Sequence, residues 1–193
     1  FSIPDERAAA FSAIGMALAD RKPAAVICTS GSAAANYLPA VTEAYYQKVP
    51  LLVITADRPK EWIGQGLGQT IQQENIFGSH VLYAANFLRE PQDDLGQHYN
   101  QRIANEALIK AFKGPVHLNV PFDEPLYDTI DFNKEEFRFI RELGASQNLS
   151  NADWQFLTSP YLQAKKVLII AGQAPVDEAL KQVLKPLLDK PGH

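Results

Sequence analysis

Short, continuous apolar runs alternate along this chain with longer segments in which apolar residues recur every three or four positions. The apolar runs predict strands over residues 24–29, 51–56, 80–85 and 116–120. The periodic segments predict helices over residues 5–20, 33–48 and 94–112, with Pro39 separating a first turn from the rest of the second helix. Because strands that alternate with helices form parallel sheets, we expect an α/β fold. It should be an open parallel sheet with helices on both faces and right-handed crossovers.

The same periodicity predicts which side chains are buried. For the first helix the expected apolar face is Ala8, Phe11, Gly15 and Leu18, with Asp5 or Ser2 as the N-cap. For the helix over residues 94–112 the expected face is Leu95, Tyr99, Ile103, Ala107 and Ala111, ended by Gly114. The first strand is uninterrupted in its apolar character and is therefore expected to be covered on both faces.

Three regions follow from the distribution of these elements. Residues 1–128 form the first α/β domain, residues 129–160 a linker with few periodic runs, and residues 161–193 the start of a second α/β domain. The second domain is predicted to begin with a strand over residues 165–171, a turn at Gly172 and a helix over residues 175–189. Phe1 rather than Met at the start, and an end just after a helical pattern, predict a piece of a longer protein.

Composition narrows the functional classes. A formal net charge of −4 with scattered Lys and Arg argues against nucleic acid as a partner. No apolar run approaches the ~20 residues of a membrane span, and no signal-peptide pattern opens the chain. Cys28, the single cysteine, lies in an apolar run and is interpreted as a structural residue in a reducing compartment. A cytoplasmic location is therefore expected.

Polar residues follow the first two predicted strands, where open parallel sheets place their sites. Thr29, Ser30, Gly31 and Ser32 follow the first strand, and Asp57 and Arg58 follow the second, with Gln69 further along the same loop. Arg58 is either paired locally with Asp57 or available to hold a carboxylate. Glu6, in the first turn of the first helix, either favours the helix dipole or contacts a flat heterocycle held against the small turn residues. His117 alternates with apolar residues and is predicted to be structural.

Several stretches resemble the pyrimidine-binding domain of thiamine-diphosphate enzymes. The shared stretches are Asp5-Glu6-Arg7, Thr29-Ser30-Gly31-Ser32 and Gly66-Leu67-Gly68-Gln69. Ala56-Asp57-Arg58-Pro59, together with the proline-rich stretch over residues 121–127, resembles the menaquinone-pathway synthases within that superfamily. The resemblance runs from about residue 5 to residue 127, and residues 165–172 look like the start of the family's central domain.

The resemblance implies a role for each candidate. Glu6 would be the catalytic residue, hydrogen-bonding the pyrimidine ring of thiamine diphosphate so that the cofactor can be deprotonated. Cofactor contacts would come from Glu6, Ser30, Gly31, Ser32 and Asn36. Substrate contacts would come from Arg58 and Gln69, which suit the anionic substrates 2-oxoglutarate and isochorismate. The family reaction, a carboligation, decarboxylates the first and adds the four-carbon unit to the second.

Departures from the family pattern limit what the chain is expected to do alone. Gly68 stands where the family usually has Asn, and Ser32 where it usually has Thr. No Gly-Asp-Gly followed by Asn is present, and this is the family segment that holds Mg²⁺ or Mn²⁺ and the diphosphate. No metal ligand is therefore assigned to this chain. A second subunit of a homodimer or homotetramer is expected to complete the site, and the chain by itself is expected to be inactive.

Two alternatives stay open. One is another thiamine-diphosphate carboligase or decarboxylase of the acetolactate-synthase type. The Ala56-Asp57-Arg58-Pro59 stretch argues against it, because those relatives usually have a glycine-containing turn there. The other is a non-catalytic α/β binding module, which would need no glutamate at position 6, since a helix start accepts Asp, Ser or Thr equally well.

Overall fold

The structure, a computed structural model, describes residues 1–123, 137–140, 150–168, 170 and 176–188. It divides into two compact units, Phe1–Glu142 and Leu143–His193. The first unit contains the whole of the sheet and both candidate binding regions. The predicted boundaries at residues 128 and 160 stay predictions.

The first unit begins with a helix that leads into an edge strand. Helix α1 spans Glu6–Asp20, and its N-cap Asp5 accepts a hydrogen bond from the backbone N–H of Ala8 at 2.7 Å. Because Arg21 adopts a left-handed backbone conformation, the helix stops there, and β1 (Ala24–Cys28) follows. The predicted helix and its cap at Asp5 are confirmed.

The central part of the unit is a parallel α/β crossover. After β1 come α2 (Ser32–Asn36), α3 (Leu38–Gln47) and β2 (Leu51–Asp57). The predicted break is confirmed, since Pro39 lies in the first turn of α3, where its missing N–H breaks no helical hydrogen bond.

The rest of the unit completes a four-stranded sheet in the order β1-β2-β4-β3. Strand β3 spans Tyr83–Asn86, α4 spans Asp94–Ala111 and β4 spans Pro115–Pro121. All three strand pairs are parallel, as predicted, and Cys28, Thr55 and Asn119 lie side by side in register. The carboxyl ends of β1, β2 and β4 therefore meet at one edge of the sheet.

Helices cover both faces of the sheet, as the sequence predicts. On one face, α1 packs over β1 and β2 and α3 packs over β4, around a shared core that includes Tyr37, Leu51 and Val53. On the other face, α4 packs over β3 and β4 through Ala107 and Ala111. Successive side chains of β2 point to opposite faces of the sheet, so Leu51 and Val53 pack on the α1/α3 side and Leu52 packs on the α4 side. Thr55 therefore also points to the α1/α3 side.

Two predicted faces are wrong. In α1 the buried residues are Ala10, Ala13, Ile14 and Ala17, whereas Phe11 and Leu18 are 44% and 55% exposed. The small alanine side chains let α1 approach the sheet closely, which the bulkier residues of the predicted face would prevent. Strand β1 is an edge strand with Ile27 68% exposed, so it is covered on one face only. Leu95 in α4 is also exposed, while Ile103, Ala107 and Ala111 are buried as predicted.

The second unit contains two described helices, α5 (Asn151–Gln163) and α6 (Glu178–Leu188). Helix α5 begins inside the predicted linker. It includes Pro160 near its carboxyl end, the residue at which the predicted linker ends. Of the predicted strand over residues 165–171, residues 165–168 and 170 are not in a strand, and no neighbouring strand is described in this unit to pair with them. Gly172 lies outside the described residues.

Candidate functional site

The turn after β1 is shaped by Gly31. The backbone angle φ of Gly31 is +83°, a value that residues with a side chain rarely adopt. A Cβ at this position would lie 2.9 Å from Cα of Gln69. The turn therefore packs directly against the backbone of a residue predicted to bind substrate. Ser30 is buried beneath the turn, whereas Ser32, the first residue of α2, is exposed.

Glu6 and Asn36, both predicted to contact the cofactor, are brought together by the fold. Glu6 lies in the first turn of α1, and its Oε2 accepts a hydrogen bond from Nδ2 of Asn36 at 3.2 Å. The carboxylate also borders a cleft of about 380 Å³ between α1 and β1, which Cys28, Thr29 and Tyr37 help to line. It is thus accessible from a concave surface and held by a neutral amide donor.

The groups around Glu6 stay neutral near pH 7. Burial raises the pKa of the Cys28 thiol to about 11, a hydrogen bond with Tyr37 lowers it, and the charge of Glu6 raises it. Burial also raises the pKa of Tyr37, with further contributions from Cys28 and Glu6. Cys28 is therefore a protonated, half-buried thiol rather than a nucleophile, in agreement with its predicted structural role.

Arg58 and Gln69 line a second cleft, of about 490 Å³. Trp62 and Leu67 contribute apolar surface to it, and Asp123 contributes a carboxylate. The two predicted substrate residues thus share one cavity. The two clefts have no lining residue in common, and the Gly31 turn packs against Gln69 of the second.

The charge of Asp123 at this second cleft is balanced by Arg89. Its Nη1 lies 2.7 Å from Oδ2 of Asp123, and its Nη2 lies 3.9 Å from Oε1 of Glu61. Sequence reasoning did not identify Arg89, because it follows β3 in a segment without a recognisable motif. The positive charge of Arg89 weakens the repulsion that the carboxylates of Asp123 and Glu61 would exert on an anion bound in this cleft.

Asp57 has a structural role beside Arg58. Its Oδ1 accepts a hydrogen bond from the backbone N–H of Arg58 at 2.8 Å, and its Oδ2 accepts one from Nδ2 of Asn119 at 2.7 Å. Both carboxylate oxygens are therefore occupied by neutral donors. This geometry makes Asp57 a cap for the backbone at the start of the loop that follows β2.

A buried polar network under the site escaped the sequence analysis. Asn119 Oδ1 accepts hydrogen bonds from Thr55 Oγ1 at 2.7 Å and from Gln73 Nε2 at 3.0 Å, and His117 Nε2 lies 2.8 Å from Thr55 Oγ1. Polar residues at the carboxyl ends of two buried strands were a signal for Thr55 and Asn119. Gln73 carries no such signal, since it lies in an irregular loop. Burial lowers the pKa of His117 to about 4, so it is neutral and structural, as predicted.

Metal-binding clusters and membrane-spanning helices are both absent from the described ranges. There, no three His, Cys, Asp or Glu side chains converge as metal ligands would. In the same part of the chain, no helix is both long and apolar enough to cross a bilayer.

The first part of the chain matches a known family, and its fold resembles a solved structure. Residues 1–76 match the family model described as "Thiamine pyrophosphate enzyme, N-terminal TPP binding domain". A solved structure, a thiamine diphosphate-dependent 4-hydroxybenzoylformate decarboxylase from Rhodococcus jostii RHA1, superposes with a TM-score of 0.57 at 20% identity. The match covers 81% of this chain and 29% of that chain. At this identity the likeness concerns the fold alone.

The curated relatives share much more sequence. A protein from Christiangramia forsetii is 42% identical over 99% of this chain and 36% of its own length. A protein from Porphyromonas gingivalis is 40% identical over 99% of this chain and 34% of its own length. A protein from Flavobacterium psychrophilum is 45% identical over 89% of this chain and 30% of its own length. This chain thus spans about a third of the length of the curated relatives it matches.

The fold, the glutamate-bearing first helix and the family match together define a class. Residues 1–76 match the N-terminal TPP binding domain of the thiamine pyrophosphate enzymes. The three relatives described above are all named 2-succinyl-5-enolpyruvyl-6-hydroxy-3-cyclohexene-1-carboxylate synthase, and the chain is a homologue of these synthases.

Proposed function

We propose that this chain is the pyrimidine-binding part of a transferase of menaquinone biosynthesis. That enzyme decarboxylates 2-oxoglutarate and adds the resulting four-carbon unit to isochorismate. The observation that supports this most directly is the position of the turn at residues 30–32. It abuts Gln69 of the Arg58 cleft, while the helix that it starts ends at Asn36, the partner of Glu6.

The residues of the turn and the first helix fit a pyrimidine ring. Glu6 presents a carboxylate that can exchange a proton with a ring nitrogen, and Asn36 holds that carboxylate in place. Ser30, Gly31 and Ser32 offer a backbone and small side chains against which a flat ring can lie. Thiamine diphosphate, when bound, supplies a thiazolium carbon at which decarboxylation and carbon–carbon bond formation take place.

Arg58 and Gln69 are proposed to bind the carboxylates of the substrates. A guanidinium matches a carboxylate in two-point geometry, and an amide adds a neutral donor that orients it. Trp62 and Leu67 give the same cleft an apolar wall suited to the carbon skeleton of the acceptor. Gly68 leaves room beside Gln69 where a larger side chain would narrow the cleft.

The remaining components of the site are proposed to come from outside this sequence. Mg²⁺ or Mn²⁺ and the diphosphate would be held by a Gly-Asp-Gly segment with a downstream Asn, in a second subunit of a homodimer or homotetramer. We also propose that the enzyme is cytoplasmic.

Because only one side of the site is present, the 193-residue chain should bind the cofactor poorly and have no turnover. Calorimetry with thiamine diphosphate and Mg²⁺ tests this, and micromolar binding would contradict it.

The activity itself is tested in the full-length protein. We expect product formation from 2-oxoglutarate and isochorismate with thiamine diphosphate and Mg²⁺. The reaction is monitored by the decrease in isochorismate absorbance, and the product is identified by mass spectrometry. Pyruvate in place of 2-oxoglutarate is the matched comparison. Turnover of pyruvate with no turnover of 2-oxoglutarate would instead support an enzyme of the acetolactate-synthase type, and no turnover of either would support a binding module.

A further inference from the structure

We propose that Gln73 is a positioning residue. It fixes the cofactor turn (residues 30–32) and the substrate loop (residues 58–72) relative to one another. This inference rests on the proposed function, because it assigns a role to the spacing between those two binding regions. Gln73 is completely buried, yet it is a polar residue in an irregular loop with no catalytic motif around it. Its amide makes three hydrogen bonds that together connect both regions.

The orientation of this amide is determined by its backbone partners. Oε1 accepts from the backbone N–H of Gly31 at 2.6 Å, and Nε2 donates to the carbonyl oxygen of Ala56 at 2.9 Å. A backbone N–H can only donate and a carbonyl oxygen can only accept, so the oxygen and nitrogen of Gln73 cannot be exchanged. The third bond, from Nε2 to Asn119 Oδ1, uses the second amide hydrogen. No side chain other than an amide of this length offers the same combination of one acceptor oxygen and two donor hydrogens at these positions.

The hydrogen bonds then continue from Gln73 to Arg58. Asn119 accepts from Gln73 at Oδ1 and donates from Nδ2 to Asp57, whose other oxygen accepts from the backbone N–H of Arg58. Thr55 donates its single hydroxyl hydrogen to Asn119, so it accepts the N–H of His117 Nε2. Every member of this chain therefore has one defined orientation, and none can rotate alone.

These bonds close a loop. Residues 58–72 leave the sheet at Asp57 and return at Gln73, and both of these end residues bind Asn119. The loop carries Arg58 at its start and Gln69 near its end, and its backbone at Gln69 is in contact with Gly31. Loss of the Gln73 amide would free the far end of this loop and the Gly31 turn together. Displacements of about 1 Å at binding groups can cost ~10²-fold in rate.

The experiment compares Gln73→Glu and Gln73→Met with Gln72→Glu and Gln72→Met in the full-length protein. Gln72 is the exposed neighbour, so its variants carry the same chemical change outside the network. For both Gln73 variants we expect the dissociation constant of thiamine diphosphate, measured by calorimetry, and the KM for 2-oxoglutarate to rise about tenfold or more. The Gln72 variants should match the wild type.

The two constants distinguish positioning from a purely structural role. An irreversibly misfolded fraction lowers the concentration of active enzyme and thus the apparent kcat, but it leaves KM and the dissociation constant unchanged. A reversibly unfolded fraction raises the apparent dissociation constant only in inverse proportion to the folded fraction, which the melting curve gives. Folded Gln73 variants with wild-type values of both constants would overturn the inference. Inactivity of the wild type with 2-oxoglutarate would instead contradict the proposed function, while the cofactor-binding measurement would still test Gln73.

A second pair of variants decides the matter if neither Gln73 variant folds. Thr55→Val removes the hydroxyl that fixes Asn119 and keeps the shape of the side chain, whereas Thr55→Ser keeps the hydroxyl. We expect both constants to rise in Thr55→Val and to return toward the wild-type values in Thr55→Ser. Equal constants in the two Thr55 variants would overturn the inference.

Discussion

At the scale of single residues, Glu6 combines a half-buried position beside a cleft with a fixed orientation. It follows the N-cap of α1, faces a cleft and is held by Asn36. A carboxylate placed in this way is already oriented toward a ring that binds in the cleft. Its neighbours Cys28 and Tyr37 stay uncharged near pH 7 and so do not compete for the proton.

Glu6→Gln tests the proton-transfer role directly. The amide keeps a hydrogen-bond acceptor for Asn36, so the fold should be unchanged, but it cannot exchange a proton. We expect turnover of the full-length protein to fall by roughly 10²- to 10⁴-fold. Glu74→Gln, at an exposed glutamate, is the matched control. Near-normal turnover in Glu6→Gln with an unchanged melting temperature would show that the assigned role is wrong.

Gly31 is the other residue at which a single atom matters. An added Cβ would meet the backbone of Gln69 and would impose an unfavourable φ. We expect Gly31→Ala to lower the free energy of unfolding by about 1–3 kcal/mol, measured by urea denaturation of this chain. Gly15→Ala is the contrasting control, because nothing lies within 4 Å of its Cβ position in α1. It should be stabilising by roughly 0.5–1 kcal/mol, and equal destabilisation by both changes would contradict this account.

At the scale of elements, α1 positions its carboxylate through its N-cap. The Asp5 side chain satisfies the backbone N–H of Ala8, which fixes where the first turn begins and hence where Glu6 projects. Asp5→Ala should lower the free energy of unfolding by about 1 kcal/mol, whereas Asp5→Asn should preserve most of it. Urea denaturation measures both. If Asn were as damaging as Ala, the charge of Asp5 rather than its capping bond would be responsible.

How far the sequence predicts these elements depends on the range of the interactions involved. Asp5, Pro39 and the apolar strands act locally, so the helix starts and the parallel crossover follow from pattern alone. The buried face of α1 does not, because Phe11 and Leu18 dominate the periodicity while close packing on the sheet selects the alanines. The site divides in the same way. Glu6 and Arg58 stand in recognisable stretches, but Gln73 reaches Gly31 across 42 residues, a separation that no local pattern encodes.

At the scale of the whole molecule, buried His117 couples stability to pH. Burial lowers its pKa from 6.5 to about 4 in the folded chain. Between these values the unfolded state binds the proton and the folded state does not, so the unfolded state binds more protons and stability falls as the pH is lowered. The full stability is present above about pH 6.5, and the loss caused by protonation of the unfolded state reaches on the order of 3 kcal/mol by pH 4.

His117→Gln should flatten this dependence. Glutamine can still donate an N–H to Thr55 but does not titrate, so the loss of stability between pH 7 and pH 5 should be smaller than in the wild type. Urea denaturation of this chain at the two pH values measures it. His98→Gln, at an exposed histidine, is the control and should keep the wild-type slope. An unchanged slope in His117→Gln would assign the pH dependence to carboxylates instead.

The strand order has a consequence for how this molecule is made. The fourth strand in the sequence, Pro115–Pro121, lies between the second and third strands and is the hydrogen-bonded partner of both. While the ribosome is still synthesising the residues before it, β3 lacks the partner that it has in the described sheet, and β2 has only β1 of its two partners there. The sheet can therefore close only after residue 121 leaves the exit tunnel, and until then its apolar central strand edges are open to other nascent chains and to chaperones.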